Sequence, residues 1–213
     1  MGSKLARFKR KKSPRRGKKE ETRSPKERRR QLQQSELPKL IGGSKNGVLS
    51  NTRNAALVPQ LQASLSTARR CYDWKQLYSL TQHGCSLHTL LLKVHNENPT
   101  LVVVETTKGE IFGGFVSEAW RISGNYYGLG ESFVFAFNAK FECYPWSCSD
   151  AMVMFSNEEN IAMGGGGGFA WCLNSDLSRG TSGCSTTFGN ACLTTESEFG
   201  IVNVEVWGFT LKM

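Results

Sequence analysis

The sequence predicts an α+β domain, a β-sandwich of mostly antiparallel strands flanked by short helices, carried behind a disordered basic N-terminal arm. Three observations carry that reading. Runs with strand periodicity recur from residue 74 to the C-terminal end, whereas helical periodicity occupies two short stretches early in the domain. Charge is split: residues 1–45 hold 17 Lys or Arg and 4 Asp or Glu, and the remaining chain holds 10 and 14. Those 45 residues also carry few large apolar side chains (Leu5, Phe8, Leu32, Leu37, Leu40 and Ile41), too few to offset the entropy of ordering the backbone. The expected organisation is an arm and linker over 1–54 and one folded domain over 55–213, with 42–54 as a flexible joint.

The elements follow in order. Leu57, Leu61, Leu65 and Ala68 recur at helical spacing, with Pro59 near the first turn, where it is tolerated. Residues 74–80 read as a strand. Ser86 caps a second helix bearing Leu87, Leu90, Leu91 and Val94 on one face, and Asn98-Pro99 ends it. Residues 101–106 and 110–115 form a hairpin about Thr107-Lys108-Gly109. A glycine-rich loop over 124–130 precedes strict alternation over 131–137, with Phe133, Phe135 and Phe137 on one face. Shorter strands are expected at 140–144, 151–155, 159–163 and 169–173. The last run, 199–211, is apolar on both faces: Val202, Val204 and Val206 on one, and Ile201, Trp207 and Phe209 on the other. Such a strand belongs inside a layered sheet.

Candidate chemistry is sparse. Gly164–Gly168 lacks the GK[ST] of a P-loop and is followed by a strand-like run, so it reads as a turn where backbones approach closely. His83, His88 and His95 share one segment, but no carboxylate or thiol completes a metal set. Seven cysteines without a CxxC pair, and no secretory apolar run after Met1, read as reduced, mostly buried thiols of a cytosolic protein. Ser182 and Ser185 lack a GxSxG frame. Glu131, at the mouth of the glycine loop, is either a general base or an acceptor for the loop's own amides. The second role is the favoured one, because no partner acid or base is visible. No catalytic residue, cofactor site or metal site is assigned. No run of about 18 apolar residues exists to span a bilayer.

The arm admits three roles: solubility, nuclear or nucleic-acid association through Lys9–Lys12 and Arg15-Arg16, and membrane anchoring. Phe8 alone offers a ring for stacking, which disfavours nucleic acid. Met1-Gly2 opens an acylation-like start, although Ala6 stands where Ser or Thr is preferred. An acyl chain on Gly2 and an adjacent basic patch would together hold an anionic leaflet. Ser13-Pro14 and Ser24-Pro25 are candidate phosphorylation sites whose modification would subtract charge from that patch.

Six motifs in order extend from about residue 57 to 209. They are WKQLYS from Trp74, HGCSL from His83 with Leu90, and GEIFGGF from Gly109 with Gly113 at its centre. YGLGESFVF follows from Tyr127, with Gly128, Gly130 and Glu131. Then come the run from Met163-Gly164 through Trp171 to Asp176 and Gly180, and VEVWGF with Glu205 and Trp207. Together they resemble the TLDc domain, the family of the eukaryotic oxidation-resistance proteins. Two departures are expected to fall in loops: Cys184–Asn190 is one residue longer than the family's pattern, and Asn174 replaces its usual Asp. The resemblance implies a β-sandwich flanked by helices, a role in oxidative-stress resistance, and binding to the vacuolar-type proton-pumping ATPase. It implies no agreed catalytic residues. The resulting expectation is a non-enzymatic binding module that regulates the pump, cytoplasmic or peripheral on an endolysosomal or vacuolar membrane. A thiol-based antioxidant or hydrolase-like enzyme and a nuclear, nucleic-acid-associated protein are the alternatives.

Overall fold

The computed structural model describes residues 37–212. The reading of residues 1–36 as a basic arm, and with it Gly2, Ser13 and Ser24, lies outside the described residues.

Among the described residues there are eleven strands, three short α-helices and two single 3-10 turns (Thr52–Asn54 and Arg69–Cys71): β1 (Leu40–Ile41), α1 (Leu57–Ser64), β2 (Tyr72–Ser79), α2 (Leu80–His83), α3 (Leu87–Val94), β3 (Thr100–Thr106), β4 (Ile111–Val116), β5 (Phe133–Phe137), β6 (Phe141–Pro145), β7 (Met154–Ser156), β8 (Asn160–Met163), β9 (Trp171–Asn174), β10 (Arg179–Ser182) and β11 (Glu198–Leu211). Every strand pair is antiparallel except β1 with β2. The first sheet runs β6-β5-β4-β3-β11-β2-β1, and the second runs β7-β8-β9-β10 and ends on β11.

The 14-residue β11 joins the layers, because its first residues pair with β10 and the rest lies between β2 and β3. This is the inner strand expected from its two apolar faces. A register shift between Ile201 and Asn203 breaks the alternation and leaves Val202 exposed, while Val204 and Val206 point into the core.

Two cores lie on opposite faces of the first sheet. Between the sheets, Val102, Val104, Phe112 and Val134 meet Met154, Ile161, Met163 and Trp171, and α3 adds Leu87, Leu90, Leu91 and Val94. Ser86 Oγ accepts from the Thr89 amide at 3.3 Å and so caps α3 as its sequence predicts. On the other face, Trp74, Leu101, Val103, Phe135 and Trp207 are covered by Leu57, Val58 and Leu61 of α1.

Val48 and Leu49 complete that second core, and here the structure corrects the sequence reading. The expected flexible joint over 42–54 is a packed strap. Val48 and Leu49 are 1% and 3% exposed. Asn54 Nδ2 donates to the Val48 carbonyl at 2.8 Å, and Leu40 pairs with Trp74 ahead of it. The ordered body therefore begins upstream of the boundary expected at residue 54. Two further differences are local. The strand expected at 151–155 starts at Met154, because Asp150 Oδ1 accepts from the Met152 amide at 2.9 Å and turns the chain first. β10, an Arg-Gly-Thr-Ser segment, has no apolar alternation, and pairing with β9 and β11 makes it a strand.

Candidate functional site

The loops at one end of the sandwich gather the glycine run that begins at Gly164 around Asp150. Its Oδ1 accepts from Thr187 Oγ1 and its Oδ2 from Thr186 Oγ1, both at 2.7 Å. Burial alone would raise this carboxyl, but the hydrogen bonds from Thr187, Thr186 and the Met152 amide outweigh it and hold it below its ordinary value. The Gly165 amide donates to Thr187 Oγ1 at 2.9 Å and to Ser185 Oγ at 3.2 Å. Gly164 has φ +81°, and a Cβ there would meet Ser185 Oγ at 2.5 Å. The glycine run is thus a close-packed turn, as its sequence predicts.

A second loop, 117–132, is pinned beside the first. Tyr127 bridges to Met154. Its hydroxyl accepts from the Arg121 amide at 3.1 Å and lies 2.6 Å from Ser156 Oγ, which donates to the Arg121 carbonyl at 2.7 Å. The Arg121 guanidinium sits 4.1 Å from the centre of the Tyr127 ring. Gly128 has φ +104° and abuts Met154, and a Cβ on Gly130 would collide with the Trp146 ring. Trp146 Nε1 donates to the Asp150 carbonyl at 2.7 Å and the Trp146 amide donates to the Ser132 carbonyl at 3.0 Å, so Trp146 ties the two loops together. From this braced scaffold Ile122, Tyr126 and Leu129 project, 54%, 38% and 66% exposed.

The remaining motif residues are structural in their contacts. Gly113 faces the Val102 carbonyl across β3 and β4, where no Cβ fits. Trp171 is fully buried, with its ring centre 6.3 Å from that of Trp120. Asp176 accepts from Ser178 Oγ at 2.7 Å and from the Ser178 amide at 2.9 Å, closing the β9–β10 turn. Glu205 is fully buried, accepts from the Val48 amide at 2.7 Å and the Leu49 amide at 3.3 Å, and receives Trp207 Nε1 at 3.0 Å.

Glu131 corrects the sequence reading. It is exposed and pairs with Arg69 Nη2 at 3.3 Å, while the loop is closed by Ser132 Oγ donating to the Leu129 carbonyl. The thiols correct another: Cys71, Cys85, Cys148, Cys184 and Cys192 are exposed, and Cys143 and Cys172 are half-buried. The five exposed thiols lie in loops and in the single turn at Arg69–Cys71, and Cys172 takes an outward position of β9, whereas Cys143 on the edge strand β6 packs against the margin of the second core.

The other candidates are engaged or apart. Ser182 Oγ donates to the Ala170 carbonyl and accepts from the Leu193 amide. Ser185 Oγ is bonded to Gly165. His83 Nδ1 accepts from the Ser79 amide, and burial followed by the Lys93 charge lowers its pKa. His88 and His95 are exposed on or beside α3. Among the described residues no group of His, Cys, Asp and Glu is arranged to hold a metal ion. Sequence reasoning missed Asp150, Ile122 and Leu129. A lone Asp two residues before an apolar run, and large apolar residues beside a Gly/Ser loop, were the signals available.

A family model described as the TLDc domain matches residues 48–210. Oxidation resistance protein 1 of Rattus norvegicus is 37% identical over 140 residues, which is 65% of this chain and 17% of that protein. The Homo sapiens protein of that name is also 37% identical over 140 residues, 65% of this chain and 16% of its own length. Nuclear receptor coactivator 7 of Gallus gallus is 35% identical over 154 residues, 71% of this chain and 17% of that protein. The matched region thus spans 16% to 17% of the length of these relatives.

Proposed function

The chain belongs to the TLDc domain family, and from that premise we propose that its folded domain is a non-enzymatic docking module that engages a vacuolar-type proton-pumping ATPase, regulates its assembly or activity, and so contributes to oxidative-stress resistance. The observation that carries this reading is the braced loop bearing Ile122, Tyr126 and Leu129. Large apolar side chains held out to solvent by a rigid scaffold are what a protein interface requires. The polar groups around them, Asp150, Ser185, Thr186 and Thr187, are spent on fixing the loops to one another, so they supply support more readily than chemistry.

A module of this kind acts by mass action. Binding one conformer of the pump better than another shifts the population by no more than the difference in affinity. The basic residues of 1–36, with an acyl chain on Gly2, would bring the domain to an anionic cytosolic membrane. Co-sedimentation of the full-length chain with the purified cytosolic sector of the pump tests the docking step. Saturable recovery supports it, and no recovery at any concentration contradicts it.

One observation favours a second reading, a thiol-based antioxidant: five of the seven cysteines are exposed to solvent. Replacing all seven by serine or alanine discriminates the two. Protection that survives in a folded variant eliminates the thiol mechanism.

A further inference from the structure

Strand pairing places Ala162, Cys172, Thr181 and Glu198 in one row across β8–β11, and Asn160 beside Asn174 in the next. Ile161, Met163, Trp171 and Leu173 point into the core, so by alternation these two rows face outward. Ala162 is fully buried, and the surface dips over Cys172 and Gly180. The result is a groove of about 380 Å³ lined by Asn160, Cys172, Asn174, Arg179, Thr181 and Glu198.

The chemistry of the groove is uneven. Its floor is neutral, since burial pushes the Cys172 thiol up to about 11. Its walls carry two side-chain amides: Asn174 accepts from the Arg179 amide at 3.2 Å and bonds the Asp176 carboxylate, while Asn160, whose Oδ1 receives the Cys172 thiol at 3.8 Å, is the one placed to pair with a peptide main chain. Its rim is acidic. From residue 150 to 200 the chain carries six Asp or Glu against one basic residue, Arg179. The turns at 157–159 and 175–178 fall at the same end of this antiparallel sheet and bring Glu158, Glu159 and Asp176 together there, while Glu198 stands in the groove itself. All four carboxylates are exposed, and among the described residues none is in a salt bridge.

We infer that this groove docks an extended, lysine- or arginine-bearing segment of a partner protein, with its main chain on the Asn160 amide and its basic side chains on Glu198 and the Asp176–Glu159 rim. Charge complementarity selects the occupant: an acidic or nucleic-acid ligand would face four exposed carboxylates against the one cation of the groove, Arg179. The inference does not depend on the identity of the partner. Its test uses a peptide alone, so its failure leaves the pump reading standing.

The full-length chain, isotope-labelled, is titrated with a capped decapeptide of alternating lysine and threonine at ~150 mM salt, where exposed charges farther apart than about 8 Å are screened. Saturable amide shifts are expected around Asn160, Cys172, Asn174 and Thr181, and none with the same peptide carrying glutamate for lysine. Thr181→Trp, which fills the groove from an exposed position, should weaken binding at least tenfold, as should Glu198→Lys. Unchanged resonances of Trp171 and Leu173 report that each variant is folded. No saturable binding would overturn the inference. So would shifts scattered over the whole domain, or a Thr181→Trp variant that binds as the parent does while Glu198→Lys alone weakens it, which is diffuse charge attraction without a groove.

Discussion

The carboxylate of Glu205 accepts a 2.7 Å hydrogen bond from the amide of Val48, 157 residues earlier in the chain. This contact joins the strap to the central strand of the first sheet. It is buried beneath Trp207, and Gly47 must lack a side chain to permit it, since a Cβ there would lie 2.5 Å from Glu205 Oε1. Replacing Glu205 by Ala leaves the Val48, Leu49 and Trp207 donors without an acceptor. At about 1–3 kcal/mol for each unsatisfied buried group, the variant should lose about 3 kcal/mol or more in urea unfolding. Gly47→Ala should be destabilising in the same assay by pushing the carboxylate aside.

Burial raises the Glu205 pKa above its ordinary value of 4.5, outweighing the donors that favour the charged form. The folded state then holds a proton that the unfolded state has released, so this residue's contribution to stability is full below about pH 4.5 and falls as pH rises through the elevated folded value. Glu105 of β3, which pairs with Asn203 of β11, also acts on it in the raising direction. The stability difference between parent and Glu205→Gln should therefore shift against the parent with rising pH above 4.5 and then level off. A difference that is flat, or that grows in the parent's favour, would refute this assignment.

The strap also sets where the domain can be cut. A chain beginning at residue 37 should unfold at the same urea concentration as the full chain. One beginning at residue 55 loses Val48 and Leu49 from the core, and large-to-small losses of this kind cost about 2–5 kcal/mol each. Equal midpoints for the two truncations would show that the strap contributes nothing.

These features differ in how far the sequence betrays them. The face of α3, the β3–β4 hairpin and the Phe133–Phe137 alternation are legible because each is a local periodicity that a buried surface imposes on neighbouring residues. Val48 and Leu49 carry no such signal. They are a lone apolar pair among Gly, Ser and Asn, and the acceptor that orders them is a distant residue. β10 is illegible for a related reason, since both of its neighbours supply the pairing and its own side chains supply no pattern. Glu205 was visible only as a charge inside Val-Glu-Val-Trp, a mark of a buried partner whose identity needed the fold.

Asp150 holds the glycine turn, and its carboxyl sits below the ordinary value of 3.8. Its contribution to stability is therefore present above that pH and is lost as pH falls through the depressed folded value. Asp150→Ala should speed amide exchange at Gly165 and Thr186 and leave exchange at Val102 and Val104 unchanged. Uniform acceleration across the domain would instead mean global destabilisation.

Thiol reactivity should divide the cysteines. Cys71, Cys85, Cys148, Cys184 and Cys192 are exposed and should alkylate readily in the native chain. Cys172, half-buried and pushed up to about 11, should be slow, with Cys143 also retarded by burial. Peptide mass spectrometry after timed alkylation reads the order, and early labelling of Cys172 would contradict it.

The most direct measurement is the equilibrium affinity of the full-length chain for the purified cytosolic sector of a vacuolar-type ATPase, compared with that of an Ile122→Asp, Leu129→Asp double variant. Both positions are more than half exposed, so the variant's unfolding midpoint should stay that of the parent. The expected result is saturable binding by the parent and at least tenfold weaker binding by the variant. A parent that does not bind, or a folded double variant that binds as tightly as the parent, would contradict the account.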